Sequence, residues 1–238
     1  MGIPIGLAGR IREELRLNSD EKTKESGQRF LKENVRLYGI KTDVVRKIDR
    51  KYFKEIKDRS RLDIFSVCEE FMKSGFMEES FIASNWSYYI RSRYKQEDFS
   101  IFERWVNDYV SNWASCDTLC NHTIGAFIEM YPEYLVKLKE WAKSSNRWVR
   151  RASAVSLIIP AKKGLFTDDI FSIADILLQD KEDLVLKGYG WMLKSACRNH
   201  EKEVFDYIMK NKKDMPRTAL RYAIEKMPPE LKSVLMKK

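Results

Sequence analysis

The residues of this sequence best suited to chemistry are tryptophans that stand beside charged side chains. Trp113 and Asp117 are four residues apart, so on a helix they lie one turn apart on the same face. A carboxylate in such a place can stabilise a developing positive charge or orient a water molecule, and an indole face attracts the same cation. An Asp in the first turn of a helix is also expected from the helix dipole alone. The pair is therefore a candidate site that needs support from elsewhere.

A second tryptophan lies within a basic stripe on a helix predicted over 183–200, which Asp180 or Asp183 is expected to cap. The stripe consists of four residues at spacings of four, three and four, namely Lys187, Trp191, Lys194 and Arg198. The opposite face is apolar and consists of Leu186, Tyr189, Leu193, Ala196 and Cys197. Cations around an indole suit a nucleic-acid backbone. The alternative is a tryptophan packed on a neighbouring helix while the cations extend to water.

A third helix is predicted over 147–159, with Asn146 as its cap and Pro160 as its end. Three cations share one face of its first turns, namely Arg147, Arg150 and Arg151. Arginines beside a helix N-terminus favour anions. Structural ion pairs are the alternative, which is disfavoured because no acidic residue lies between Glu140 and Asp168.

The composition excludes several classes of enzyme. The chain has 2 His and no glycine-rich phosphate loop, which argues against P-loop enzymes, dinucleotide-binding domains and His-based metal sites. Cys116, Cys120 and His122 fit no common zinc spacing, so no metal is expected. The 4 Cys are scattered and are expected to be reduced, mostly buried thiols. The net charge of +9 suits a polyanionic partner, although a well-solvated basic surface would give the same charge.

The elements that must position these residues are helices. The 238 residues include only 10 Gly and 6 Pro, and apolar residues recur at helical spacing between short polar breaks. This pattern predicts an all-α, right-handed α-solenoid of antiparallel helix pairs over residues 1–238, with the helices of 1–57 capping it; a compact bundle is the alternative. No apolar run of about 18 residues and no export signal occurs, so no membrane partner and a cytoplasmic location are expected.

Taken together, these segments resemble the AlkD family of DNA alkylation repair glycosylases, which are built from HEAT-like repeats. The resemblance runs from about Phe30 to about Ile224 and depends on the order and spacing of several motifs. They are Trp113-x-x-x-Asp117, Asn146-Arg147-Trp148-Val149-Arg150-Arg151-Ala152, Lys187-Gly188-Tyr189-Gly190-Trp191, and Tyr38-Gly39-Ile40-Lys41-Thr42 followed by Arg46. One departure is Phe30, which stands where the family often has a Tyr that reaches the DNA.

The resemblance implies a concave basic surface that grips duplex DNA and a monomeric enzyme that hydrolyses the N-glycosidic bond of cationic alkylpurines such as 3-methyladenine and 7-methylguanine. It implies that Asp117 is the catalytic carboxylate, that Trp113 and Trp191 lie against the backbone and deoxyribose of the lesion, and that no base pocket is needed. The predicted DNA-binding residues are Arg151, Arg147, Arg150, Lys187, Lys194, Arg198, Phe30, Lys41, Thr42 and Arg46.

The residue types present are also consistent with this reaction on chemical grounds, apart from the resemblance. An alkylated purine already carries positive charge and leaves without a general acid, so neither histidine nor a cofactor is required. The alternative function is a non-catalytic HEAT-like module that binds DNA or a protein. Asp117 favours the enzyme, because a carboxylate repels phosphate and has no purpose on a surface that only binds DNA.

Overall fold

The computed structural model describes residues 6–31 and 33–237, and those residues form helices joined by short turns. The chain divides into two compact units, residues 1–119 and 120–238. Within the described residues, one isolated bridge between Arg36 and Phe76 is the only β-type pairing. None of the helices in these ranges is long and apolar enough to cross a membrane.

The first unit is built around α5, which contacts three other helices. Its α-helices are α1 (Leu7–Leu17), α2 (Glu21–Leu31), α3 (Thr42–Ile56), α4 (Arg61–Lys73), α5 (Met77–Tyr89), α6 (Phe99–Asp108) and α7 (Trp113–Thr118). Helix α5 packs on α3, α4 and α7, while α1 packs on α3. Large aromatic side chains such as Trp86 and Trp105 are fully buried in its core.

Residues 33–41, before α3, are not helical, whereas the first polar break after residue 23 in the sequence pattern comes only at residues 38–42 and so predicts a helix to about residue 37. Val35 and Leu37 are buried while Asn34 and Arg36 are exposed, and the two buried residues pack with Leu31 in a small apolar cluster. Arg36 pairs through its carbonyl with the Met77 N–H, 3.0 Å away. Because buried and exposed residues alternate here with a period of two, the prediction of a helix from apolar spacing is wrong for these residues.

The second unit is built around α13, which packs on α10, α11, α12 and α15. A π-helix (Leu119–Ile124) follows α7 directly in the chain. The later helices are α8 (Gly125–Met130), α9 (Leu135–Trp141), α10 (Arg147–Val155), α11 (Ile158–Lys162), α12 (Thr167–Leu177), α13 (Asp183–Ala196), α14 (Glu201–Asn211), α15 (Arg217–Ala223) and α16 (Pro229–Met236).

The predicted all-α class of paired helices is confirmed, as expected for an α-solenoid. The end predicted for the 147–159 helix is wrong: α10 ends at Val155, and Pro160 lies inside α11. Proline is tolerated there because the first turn of a helix has no internal partner for its missing N–H. The handedness, the concave basic face and the single domain over 1–238 stay predictions.

Candidate functional site

In the first unit, the start of α7 is fixed by a small network of buried polar groups. The Ser115 N–H donates to the Asn112 side-chain oxygen at 2.9 Å, which caps the helix. The Ser115 hydroxyl lies 2.7 Å from the hydroxyl of Ser80 on α5. This network ties α7 to α5 and fixes the position of Trp113, the first residue of α7.

Trp113 is half-buried and forms an aromatic pair with Phe30 at the end of α2. The ring centroids are 5.5 Å apart and the planes meet at 69°, an edge-to-face geometry. Trp113 also packs on the cluster of Leu31, Val35 and Leu37. Phe30 is 70% exposed, so the pair presents an aromatic surface to solvent.

Asp117 lies one helical turn after Trp113 in α7, as the spacing predicts, and is half-buried. The π-helix begins two residues later, at Leu119. Such wide turns are rare and occur frequently at functional sites, and nothing in the sequence pattern indicates this one. The candidate carboxylate therefore stands where the helical geometry changes.

The π-helix carries His122, which is exposed. Partial desolvation by neighbouring protein atoms and the positive charge of Lys162 lower the pKa of its imidazole. The ring is therefore uncharged at neutral pH and adds no cation to this part of the second unit.

Two buried carboxylates of α5 hold the loop that precedes α3. Glu78 is 2% exposed and accepts hydrogen bonds from the backbone N–H groups of Tyr38, Gly39 and Ile40, at 3.1, 2.9 and 3.3 Å. The Tyr38 hydroxyl donates to Glu79 at 2.7 Å. Sequence reasoning missed both acids, because a pair of Glu residues in a first helical turn is ordinary.

This loop presents the N-terminal residues of the predicted DNA-binding set. Lys41 and Thr42 are exposed at the start of α3, and Arg46 is exposed one turn later. Gly39 at the turn has φ of 84°, and a Cβ there would lie 2.5 Å from the Asp20 carbonyl oxygen. Only glycine fits both the conformation and the close approach.

In the second unit, Arg147 and Arg150 of α10 form ion pairs. Arg147 contacts Glu182 at 3.2 Å, and Arg150 contacts Asp180 at 2.6 Å. Arg150 also donates to the carbonyls of Ser144 and Ser145. Contrary to the sequence-based expectation, these arginines do have acidic partners, which come from the segment before α13. Their DNA-binding role stays a prediction.

The remaining arginine of this group is almost fully enclosed. Arg151 is 5% exposed, and its guanidinium donates to the Leu184 carbonyl in the first turn of α13. A Cβ on Gly188 would lie 3.4 Å from two atoms of the Arg151 side chain. Arg151 thus packs closely on α13 beside Gly188, and its contact with phosphate stays a prediction.

The Asn146 cap of α10 is confirmed, since its side-chain oxygen accepts from the Trp148 N–H at 2.9 Å. The cap predicted for α13 is wrong. Glu182 occupies the N-cap position and makes no side-chain cap hydrogen bond. Asp180 instead accepts from the Glu182 N–H at 2.9 Å, and Asp183 lies inside the first turn.

The basic stripe of α13 is solvent-accessible, and the opposite apolar face is buried as predicted. Lys187 pairs with Asp183 at 2.7 Å and Lys194 pairs with Glu225 at 2.9 Å. Trp191 is half-buried, and Arg198 is exposed. Two cations of the stripe thus carry an acidic partner.

Trp191 lines an open groove of about 570 Å³. The groove is lined by Lys162, Trp191, Lys194, Ser195, Cys197, Arg198, Glu201 and Lys226. On another side of α13, Gly190 lies against α15, where a Cβ would be 2.7 Å from the Ala219 carbonyl oxygen and from Tyr222 Cβ. The sequence motif places Trp191 directly after this contact. The groove itself was not predicted.

The four cysteines are buried thiols that form no disulfide, as predicted. Burial raises the pKa of the Cys197 thiol to about 12, so it is protonated at neutral pH. Over residues 6–31 and 33–237, no group of three His, Cys, Asp or Glu side chains could hold a metal ion.

The chain is similar to known proteins over most of its length. A family model described as a DNA alkylation repair enzyme matches residues 11–227. None of the curated proteins matches it. Among solved structures, it is similar to a predicted DNA alkylation repair enzyme from Enterococcus faecalis, with a TM-score of 0.80 and 15% identity. The likeness covers 89% of this chain and 98% of that chain, and at this identity it shows the fold alone.

Proposed function

The chain belongs to the family of DNA alkylation repair enzymes, and we propose that it is a glycosylase that hydrolyses the N-glycosidic bond of positively charged N3- or N7-alkylated purines in duplex DNA. The observation that carries the proposal is the half-buried Asp117 one turn after Trp113. A protein that only bound DNA would have no use for that carboxylate, because a carboxylate repels the phosphates of the backbone.

The proposed reaction needs little from the protein beyond charge and position. The bond between the purine nitrogen and C1′ breaks, its electron pair neutralises the alkylpurine cation, and positive charge develops on the deoxyribose. Asp117 stabilises that charge and orients a water molecule, whose oxygen bonds to C1′ while one of its protons passes to the Asp117 carboxylate. The negative face of an indole attracts the same developing cation, and Trp113 and Trp191 keep the roles against the lesion's backbone and deoxyribose that the family resemblance implies.

Solvent-accessible cations, the Phe30 ring and the Thr42 hydroxyl supply the DNA contacts in this proposal. In the first unit they are Phe30, Lys41, Thr42 and Arg46, and in the second they are Lys187, Lys194 and Arg198. Arg147, Arg150 and Arg151 stay in the proposed set, and release of their present partners would be needed for direct phosphate contact. The enzyme acts as a cytoplasmic monomer without a cofactor and without a pocket that encloses the target base.

Base release from methylated duplex DNA tests the proposal. Purified protein is incubated with duplex that carries a single 7-methylguanine, and free base and abasic sites are both quantified, with unmodified duplex of the same sequence as the control. We expect stoichiometric release of the base and an abasic product with both strands intact. Binding without release would leave the chain as a DNA-binding module.

A further inference from the structure

The groove beside Trp191 gathers cations from three separate elements. Lys162 is the last residue of α11, Arg198 follows α13, and Lys226 follows α15; all three are exposed. A cation at the end of one helix is favoured by the dipole of that helix alone. The dipole does not explain why three such ends direct their cations to one groove.

An indole forms part of the same lining. Trp191 is half-buried, and Lys194 beside it is held by Glu225 at 2.9 Å and lies 5.7 Å from the Tyr222 ring centroid. The lining contains four cations and one carboxylate, Glu201, while Lys226 also approaches Glu225 at 3.6 Å. Positive charge therefore exceeds negative charge around an aromatic surface.

A ligand that uses all of these features must carry both a negative charge and a flat ring. Inorganic phosphate would use the cations and leave the indole without a role. Proteins that bind single-stranded DNA combine cations for the backbone with aromatic side chains on which bases stack. The groove volume of about 570 Å³ is in the range of sites that hold small organic ligands.

We propose that this groove binds one unpaired nucleotide of a DNA strand, with its base on the indole of Trp191 and its flanking phosphates on Lys162, Arg198 and Lys226. The inference rests on the proposed function, because it requires the α13 stripe to face DNA. A base inside an intact duplex is stacked and paired and cannot reach the indole. The groove is therefore filled where a nucleotide is already unpaired, as in a gap or a frayed end, whereas a paired lesion in the proposed reaction meets this indole only through its sugar.

Binding of short single strands tests the groove directly. Fluorescein-labelled octathymidylate is titrated with the whole protein and followed by anisotropy, beside an octamer of equal charge in which every base is absent. We expect the octathymidylate to bind at least about fivefold more tightly, because stacking on an aromatic side chain contributes to each contacted base. The same comparison in Trp191→Ala should show no preference.

A matched pair of double variants separates the groove from general charge. Lys162→Gln with Lys226→Gln should weaken octathymidylate binding at least about fivefold. Lys210→Gln with Lys213→Gln removes the same charge from exposed positions outside the groove and should change binding less than twofold. Equal losses in the two double variants, or equal binding of the octamers with and without bases, would overturn the inference.

Base release from intact methylated duplex is measured on the same preparations. Release together with no preference between the octamers overturns the groove assignment and leaves the proposed glycosylase in place. A preference for octathymidylate without any release supports the groove and removes the proposed reaction. The two claims therefore fail separately.

Discussion

Helix α13 contains two glycines, and adding one methyl group to each should have opposite effects. Alanine at either position gains roughly 1 kcal/mol over glycine from helix propensity. At Gly188 the new Cβ meets the Arg151 side chain at 3.4 Å and Val155 Cγ1 at 3.5 Å, which are ordinary contact distances. At Gly190 it meets the Ala219 carbonyl oxygen and Tyr222 Cβ at 2.7 Å.

The contact at Gly190 cannot be relieved by turning a flexible side chain. The Ala219 oxygen belongs to the α15 backbone, so α13 and α15 must separate. Overpacking of this kind typically costs about 1 to 3 kcal/mol, which equals or exceeds the propensity gain. We therefore expect Gly188→Ala to be neutral or stabilising, and Gly190→Ala to be less stable than Gly188→Ala by about 1 to 3 kcal/mol.

Thermal unfolding of the two variants side by side measures this difference, because the propensity term is the same in both. For a chain of this length, 1 kcal/mol corresponds to about 2 to 4 °C in Tm. Gly190→Ala should therefore melt several degrees below Gly188→Ala. Equal melting temperatures would refute the close approach of α13 and α15 that positions Trp191.

Three further predictions concern the first unit. Phe30→Ala should change stability by no more than about 0.5 kcal/mol in thermal unfolding, because the ring is 70% exposed, yet weaken binding to duplex DNA. Glu78→Ala should speed hydrogen exchange at the amides of 38–40, which lose their buried acceptor; unchanged protection would contradict that role. Arg104 and then Lys73 hold the pKa of Glu69 at about 2, so this carboxylate stabilises the fold at neutral pH. Urea unfolding should show Glu69→Gln to be less stable at pH 7, with the difference shrinking as the pH falls from about 4.3 towards 2.

The local features of the second unit could be predicted from sequence. The apolar face of α13 repeats at helical spacing, and Asn146 is a typical cap residue directly before a helix. Both depend on neighbours within about one or two turns. For the same reason the Trp113–Asp117 register was predictable.

Features that depend on distant partners could not be predicted. The partner of Arg150 is Asp180, which lies 30 residues further along the chain, so a search for nearby acids missed it. The role of Glu78 depends on the path of the loop before α3, and the π-helix after Asp117 has no sequence signature. The groove at Trp191 required the ends of α11 and α15 to meet α13.

The measurement that tests the proposed function most directly is single-turnover base release by Asp117→Asn, with Asp108→Asn at the exposed end of α6 as the matched control. The substitution is nearly isosteric and removes a charge needed mainly in the transition state. We expect release to slow at least roughly tenfold, with duplex binding and melting temperature nearly unchanged, and the control to release base at the wild-type rate. Wild-type release by Asp117→Asn, or loss of folding with normal release per folded molecule, would contradict the assignment of Asp117 as the catalytic carboxylate.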